Sequence, residues 1–483
     1  MRNNLSKMSK NHSKGLDWIV FIIIFVASLI YAAIIDIRVY VYDSEYYWNI
    51  ADPVFEEGLN LLNFPYTYRG YLFPFLAGIV KNLFPDVWGW RVLASFFCAG
   101  TFSFSLPFLI SGRRIKSYKE VFRTLLAFVF FMWIWGNFMQ YPLSDFAAAA
   151  FLLTGVSILK SFHGIDLQWK TILKGIAAGL SLYAAYNTRA AFLYGAVCAV
   201  AVFGFMNRKN IKNAFCLLAA ALISAFLIAI PQCLINEQYI GSFSPKVYTE
   251  AYSNENNPDV NLQKVQIFQG IGMDRRETYS GNEQLHYPQP PVFFEDPVGQ
   301  EILRRRNLSV TRFSIPTVLK LILEFPLDMI GIYTRHLISL MTPMYRQIYI
   351  DNLYPDKGIW TSVSALIWIF GIYAVLKQWK WKKSLPDSFW ILSVCLPSFL
   401  QLFGSPEIRF FLPVYLLCYY YVFAAINYRS IVSLRYGQWI RPVLCILVVF
   451  ILWMTIFGNI LSNSQVRTFI IHDSLQGQGL IGK

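Results

Sequence analysis

The sequence predicts an all-α integral membrane protein built as a polytopic helical bundle. Three observations predict it. Apolar residues make up 56% of the 483 and are gathered into long runs. Charged residues make up only 14%, where an ordinary soluble domain carries about 25%. The Lys and Arg behind the net charge of +14 sit mostly in short loops between those runs, which argues for membrane topology and against a nucleic-acid partner.

Length and hydropathy give about eleven transmembrane helices. They fall near 17–38, 90–110, 120–140, 143–160, 171–187, 190–206, 214–235, 359–376, 388–404, 409–427 and 441–461. The first is too long for a signal-peptide core and lacks a small-residue cleavage site, so it reads as a retained anchor. With the N-terminus cytoplasmic, the inner loops collect 21 Lys and Arg, while the short outer connections hold only Arg189 and Arg409. That bias sets the orientation and makes the two outer arginines exceptions that need a reason.

The chain then divides into three parts. Residues 1–235 form an N-terminal membrane module with seven spans and a first outer loop, 39–89. Residues 236–358 form a large extracytoplasmic loop. Residues 359–483 form a C-terminal module with four spans. In the first outer loop, Glu45 to Glu57 reads as an amphipathic interfacial helix, and Tyr71 to Phe84 as apolar but too short for a confident span. In the large loop, Ile315 to Met344 is apolar yet carries Glu324, Pro326, Asp328, Arg335 and His336, a pattern that fits an interfacial helix pair. No internal repeat of the kind found in inverted-repeat transporters is visible.

Cysteines 98, 198, 216, 233, 395, 418 and 445 lie in or beside apolar runs, and the five histidines are scattered. Neither pattern suggests a disulfide framework or a thiolate or histidine metal site. There is no P-loop, and Gln269-Gly270-Ile271-Gly272 is too weak for a dinucleotide fingerprint.

The polar residues at the membrane edge gather on the outer side. Asp43, Glu45, Tyr46 and Tyr47 follow span 1, and Arg69 lies later in the same loop. Asp145 opens span 4, Arg189 joins spans 5 and 6, and Glu407 and Arg409 join spans 9 and 10. Each has a plain structural explanation. Asp145 suits a helix N-terminus, Arg189 a snorkelling side chain, and Glu407 and Arg409 a pair within their own loop. As a same-side set they suit chemistry better. Arginines from separate helices clamp phosphate through parallel hydrogen bonds, and a carboxylate beside them takes a proton from an attacking hydroxyl.

These motifs resemble the GT-C glycosyltransferase superfamily, nearest the branch of protein O-mannosyltransferases and the lipid A aminoarabinose transferase. The resemblance is carried by Asp43-Ser44-Glu45-Tyr46-Tyr47, Arg69-Gly70-Tyr71-Leu72-Phe73-Pro74, Asp145, Thr188-Arg189 and Arg409-Phe410-Phe411-Leu412-Pro413, in family order. It departs from the family in its Asp-Ser-Glu spacing, where adjacent acids are usual, and in the absence of a recognisable carbohydrate-binding module. It implies a GT-C-like bundle and an inverting transfer from a polyprenyl-phosphate sugar to a glycan, lipid or protein acceptor, outside the plasma (inner) membrane. Asp43 is the first choice for the catalytic acid and Glu45 the second. Arg69, Arg189 and Arg409 would bind the donor phosphate, with Asp145, Glu407, Tyr46 and Tyr47 orienting. No cofactor is required, and a divalent metal stays open, since Asp43 and Glu45 are too few ligands to predict one. The competing readings are a polysaccharide polymerase or ligase using a diphosphate-linked glycan, and a lipid or glycan transporter.

Overall fold

A computed structural model describes residues 15–56, 58–65, 69–162, 168–248, 262–279, 291–310, 313–350, 358–378, 381–426 and 440–463. The expected basic residues Arg2, Lys7, Lys10, Lys14, Lys380, Arg429 and Arg435, and Glu57 and Tyr66-Thr67-Tyr68, lie outside them. The chain folds into two compact units that do not follow chain order. The first holds residues 1–247, 375–397 and 412–428, and the second holds 248–374, 398–411 and 429–483.

The first unit is helical. Its N-terminal half contains α1 (Leu16–Ile35), α2 (Tyr42–Asn49), α3 (Asp52–Glu56), α4 (Leu72–Leu83), α5 (Trp88–Gly100) and α6 (Leu106–Ser111). A wide turn, Thr101–Ser105, joins α5 to α6 without a break. Then come α7 (Tyr118–Trp135), α8 (Ser144–Lys160), α9 (Gln168–Thr188), α10 (Phe192–Met206) and α11 (Ile211–Ile240). Local signals explain the boundaries. Ser117 caps α7 by accepting from the Glu120 amide, and α11 ends at Gly241, whose φ of 71° is the left-handed stop that glycine adopts easily.

Within this unit α9 packs between α8 and α11. Gly175 and Gly179, spaced Gly-x-x-x-Gly, let the α11 backbone come close. A Cβ on Gly179 would lie 2.0 Å from the Ala221 carbonyl oxygen, and one on Gly175 would lie 2.5 Å from that of Leu217. Small residues at this spacing are what allow helices to associate where lipid removes the hydrophobic drive.

The second unit builds on α12 (Leu262–Ile271), β1 (Met273–Tyr279), β2 (Pro291–Glu295), α13 (Pro297–Arg305), α14 (Ile315–Glu324), α15 (Pro326–Leu340) and β3 (Tyr349–Ile350). The strands form a sheet of order β2-β1-β3, antiparallel between β1 and β2 and parallel between β1 and β3. Asp296 caps α13 by accepting from the amides of Val298 and Gly299 at 2.8 and 3.1 Å. An apolar core of Phe268, Ile271, Met273, Leu303, Phe313 and Ile332 joins helices to sheet. The small sheet adds to the helical expectation; its alternation was hidden by four consecutive charged residues, Asp274 to Glu277. Within residues 315–344 the chain forms a pair of helices, α14 and α15, with Leu319, Leu323, Leu327 and Ile330 exposed along it.

The chain continues with α16 (Ile359–Gln378), α17 (Trp381–Leu400), α18 (Leu412–Tyr420) and α19 (Ile440–Asn463). Seven helical stretches among the described residues are long and apolar enough to cross a membrane: 16–35, 88–111, 211–240, 359–377, 385–403, 408–425 and 442–460. The protein thus has the character of a helical membrane protein. The other four expected spans are also helices, α7 to α10, but are shorter or less apolar.

Residues 39–89 differ from their reading in one respect. The expected Glu45–Glu57 helix is two helices, α2 and α3, broken at Ile50-Ala51. Pro53 lies in the first turn of α3, where proline is tolerated, but it cannot continue a helix through from α2. The earlier start at Tyr42 is held by Ser44, whose hydroxyl accepts from the Val41 amide at 3.1 Å and donates to the Val41 carbonyl at 2.6 Å.

Candidate functional site

Helix α2 sorts the acidic cluster onto two faces. Residues two apart in a helix point about 200° from each other, while residues three and four apart share a face. Asp43 therefore shares a side with Tyr46 and Tyr47, and Glu45 shares the other with Trp48 and Asn49.

On the first face, Arg69 gathers the set. Its Nη2 lies 3.2 Å from Asp43 Oδ1, and Nη1 donates to the Tyr47 hydroxyl. The guanidinium carbon lies 4.2 Å from the Tyr47 ring centroid and 5.2 Å from that of Tyr46, within cation–π range. The Tyr47 hydroxyl also accepts from Ser144 Oγ at 2.9 Å. Ser144 and Asp145 form the first turn of α8, and Asp145 Oδ1 accepts from Arg189 Nη1. One polar chain thus runs Asp43–Arg69–Tyr47–Ser144 and, through the α8 turn, to Asp145–Arg189. Asp145 does sit at a helix N-terminus as the plain explanation holds, and it pairs with Arg189 as well.

Neutral residues set the position of Arg69. The amide of Leu72 donates to Asn187 Oδ1 at 2.8 Å, and that of Tyr71 to Gln232 Oε1 at 3.3 Å. Asn187 Nδ2 donates to the same Gln232 oxygen at 3.0 Å. Gly70 lies so close that a Cβ there would fall 1.9 Å from the Asn187 carbonyl oxygen. The segment carrying Arg69 is therefore pinned beside the end of α9, two residues from Arg189. Thr188, between Asn187 and Arg189, is buried, and its hydroxyl has no hydrogen-bond partner among the described residues.

Glu45 faces elsewhere. It lines a cavity of about 980 Å³ whose wall includes Asp36, Trp48, Lys81, Trp88 and Arg91. The structure thus separates the two acids that the sequence placed together.

Glu407 and Arg409 belong to the second unit and form their own cluster there. Arg409 Nε lies 2.6 Å from Glu407 Oε2, so the plain pairing holds for them. Arg276 reaches the other Glu407 oxygen at 3.2 Å, and its backbone amide donates to the Pro406 carbonyl at 3.0 Å. Among the described residues no group of three or more His, Cys, Asp or Glu side chains is placed to hold a metal ion.

Sequence reasoning missed Ser144, Gly70, Asn187, Gln232 and Arg276. The signal for Asn187 and Gln232 was available, since both are amides inside apolar helices, where polar groups need partners. Carrying no charge, they do not stand out by the criterion that marks the arginines and acids. No family model, curated protein or solved structure matches this chain.

Proposed function

We propose that this chain is a membrane glycosyltransferase of the GT-C type, with about eleven spans. It moves a sugar from a polyprenyl-phosphate donor to an acceptor hydroxyl at the extracytoplasmic face of the plasma membrane, with inversion. The observation that carries the reading is the joining of Arg69 and Arg189, from distant segments, into one polar chain with Asp43 and Asp145. A phosphate leaving group gains negative charge as its bond to the sugar breaks. Two guanidiniums already oriented by carboxylates and aromatic rings stabilise that charge without reorganising first. An acid on α2, beside them in sequence, receives the proton of the attacking hydroxyl. The apolar helices give the polyprenyl tail a place to lie.

The test is donor turnover by the full chain in lipid nanodiscs. A polyprenyl-phosphate monosaccharide is expected to be consumed, and Arg69→Ala and Arg189→Ala are each expected to slow this by roughly 10²- to 10³-fold, the usual cost of removing an electrostatic stabiliser. Consumption is expected to survive chelator. Turnover of a diphosphate-linked oligosaccharide instead would assign the chain to polymerase or ligase chemistry.

A further inference from the structure

The cavity of about 980 Å³ beside the end of α1 is at the upper end of the roughly 300–1,000 Å³ usual for small-molecule sites. One phenol in its wall is buried and unsatisfied. Tyr40 is 7% exposed, and its hydroxyl has no hydrogen-bond partner among the described residues. It lies within electrostatic reach of the Arg91 guanidinium, which belongs to the same wall. A buried hydroxyl without a partner costs stability, and an occupant that supplies an acceptor removes that cost. The charges of the wall are unevenly matched. Arg38 and Arg91 share the one carboxylate of Asp36, at 2.8 and 2.9 Å, so positive charge is in excess around it. Glu45 and Asp86 are exposed in the same wall, and neither forms an ion pair among the described residues. Lys81 does not answer them, because it lies 2.8 Å from Asp52 and 3.0 Å from Asn49 Oδ1. Negative charge is therefore in excess there. The exposed indole of Trp88 completes this part of the wall, with the Arg91 guanidinium 4.7 Å from its ring.

Excess charge of both signs selects a ligand that carries both. An anion alone is repelled by Glu45 and Asp86, and a cation alone by the paired guanidiniums. A primary ammonium donates to the two carboxylates and lies against the exposed part of the Trp88 indole, whose ring attracts cations. A phosphodiester accepts from the exposed Arg38 guanidinium, and the Tyr40 hydroxyl, near Arg91, gains an acceptor. The place of the cavity says where such a ligand comes from. Helix α1 is long and apolar enough to cross a membrane, and its Ala33, with Asp36 and Val39 just beyond it, belongs to the wall. Ile30, Ile34 and Val39 are exposed apolar surface beside it, where acyl chains can lie. We propose that this cavity binds the headgroup of an aminophospholipid, an ammonium joined to a phosphodiester, drawn from the leaflet around α1. The site goes beyond the transferase reading and does not depend on it, since neither Arg69, Asp145 nor Arg189 lines the cavity.

The experiment titrates the full chain, stripped of lipid in detergent, with dioleoyl phosphatidylethanolamine and dioleoyl phosphatidylglycerol, and reads bound lipid by native mass spectrometry. The second lipid keeps the phosphodiester and the chains and lacks the ammonium. Glycerophosphoethanolamine, the first headgroup without its chains, separates a lipid from a soluble source of the same chemistry. The ethanolamine lipid is expected to bind about tenfold more tightly than the glycerol lipid, the worth of a charged hydrogen bond, and more tightly than glycerophosphoethanolamine by a similar factor. Trp88→Ala and Asp86→Asn are each expected to weaken the ethanolamine lipid about tenfold. Neither is expected to weaken the glycerol lipid, which also shows that the variants are folded. Asparagine, like aspartate, adopts the φ of 47° found at residue 86, so that change removes the charge alone. Tyr40→Phe is expected to weaken the ethanolamine lipid about fivefold, one neutral hydrogen bond. Equal binding of the two lipids by the parent overturns the proposal. So does parent-like binding of the ethanolamine lipid by the Trp88, Asp86 or Tyr40 variant. Glycerophosphoethanolamine binding as tightly as the lipid overturns the assignment to the leaflet. No arm uses a sugar donor, so failure here leaves the transferase reading standing, and failure of that reading leaves this site standing.

Discussion

At the scale of single residues, the site depends on pairings that leave little room for change. Asp145 and Arg189 hold each other at the end of an apolar helix, and the Asp145 side chain is only 7% exposed. Removing either partner strands the other, which costs more than the pair contributes in the intact protein. Asp145→Ala and Arg189→Ala are each expected to lower stability by about 1–3 kcal/mol. The double variant should cost less than the sum, because the residues act as one unit. Thermal unfolding of the four proteins in detergent gives the coupling, and additive losses would show that the pair is not a unit. Gly70→Ala tests the neighbouring contact. Its added methyl meets backbone at 1.9 Å, which no rotamer change relieves. A loss of about 1–3 kcal/mol and a raised donor KM are expected together, since the same shift moves Arg69.

Elements show where the sequence was legible and where it was not. The two-faced character of α2 follows from spacing alone: Asp43, Tyr46 and Tyr47 recur at three and four, as do Glu45, Trp48 and Asn49. What spacing could not supply was the partner of each face, because Arg69, Ser144 and Lys81 come from segments 22 to 97 residues away. Helix positions were legible because long apolar runs have few other ways to satisfy their backbone. The break between α2 and α3 was readable from Pro53, yet hidden by the amphipathic pattern running across it. The sheet was missed because Arg275 and Glu277, both buried, pair with each other at 2.5 Å, and Arg275 also donates to the carbonyls of Ser339 and Thr342. A charged run therefore read as solvated loop. The Gly175-x-x-x-Gly179 spacing was readable and makes a prediction for α9. Gly179→Leu places a branched side chain against the Ala221 carbonyl, and is expected to destabilise the first unit by about 1–3 kcal/mol or more. Cysteine crosslinking of Ile176 to Ser224, whose hydroxyl donates to the Ile176 carbonyl at 3.1 Å, should fall with it. Unchanged crosslinking would mean that the close approach is not what joins the helices.

At the scale of the whole molecule, the two units differ in how they treat buried charge. The first places it in a chain of arginine–carboxylate pairs at helix ends. The second encloses two acids around one arginine: Arg335 Nε lies 3.1 Å from Asp274, and its guanidinium also bonds Asp296. Burial first, and then the neighbouring Asp296 carboxylate, push the Asp274 carboxyl up to about 8. The sign of the consequence follows from proton counting. Between the ordinary aspartate value near 4 and about 8, the folded chain keeps a proton that the unfolded chain releases. Stability contributed here is therefore highest at the acid end of that window and falls as pH rises through it, levelling off above. Asp274→Asn fixes the group in its neutral form and is expected to flatten that slope. The check is the unfolding midpoint of the parent and the variant, measured from pH 4.5 to 8.5 with the indole of Trp453, which donates to Thr342 within the second unit at 2.9 Å, as the reporter. An identical slope in both proteins would show that Asp274 ionises in the fold as freely as in the open chain.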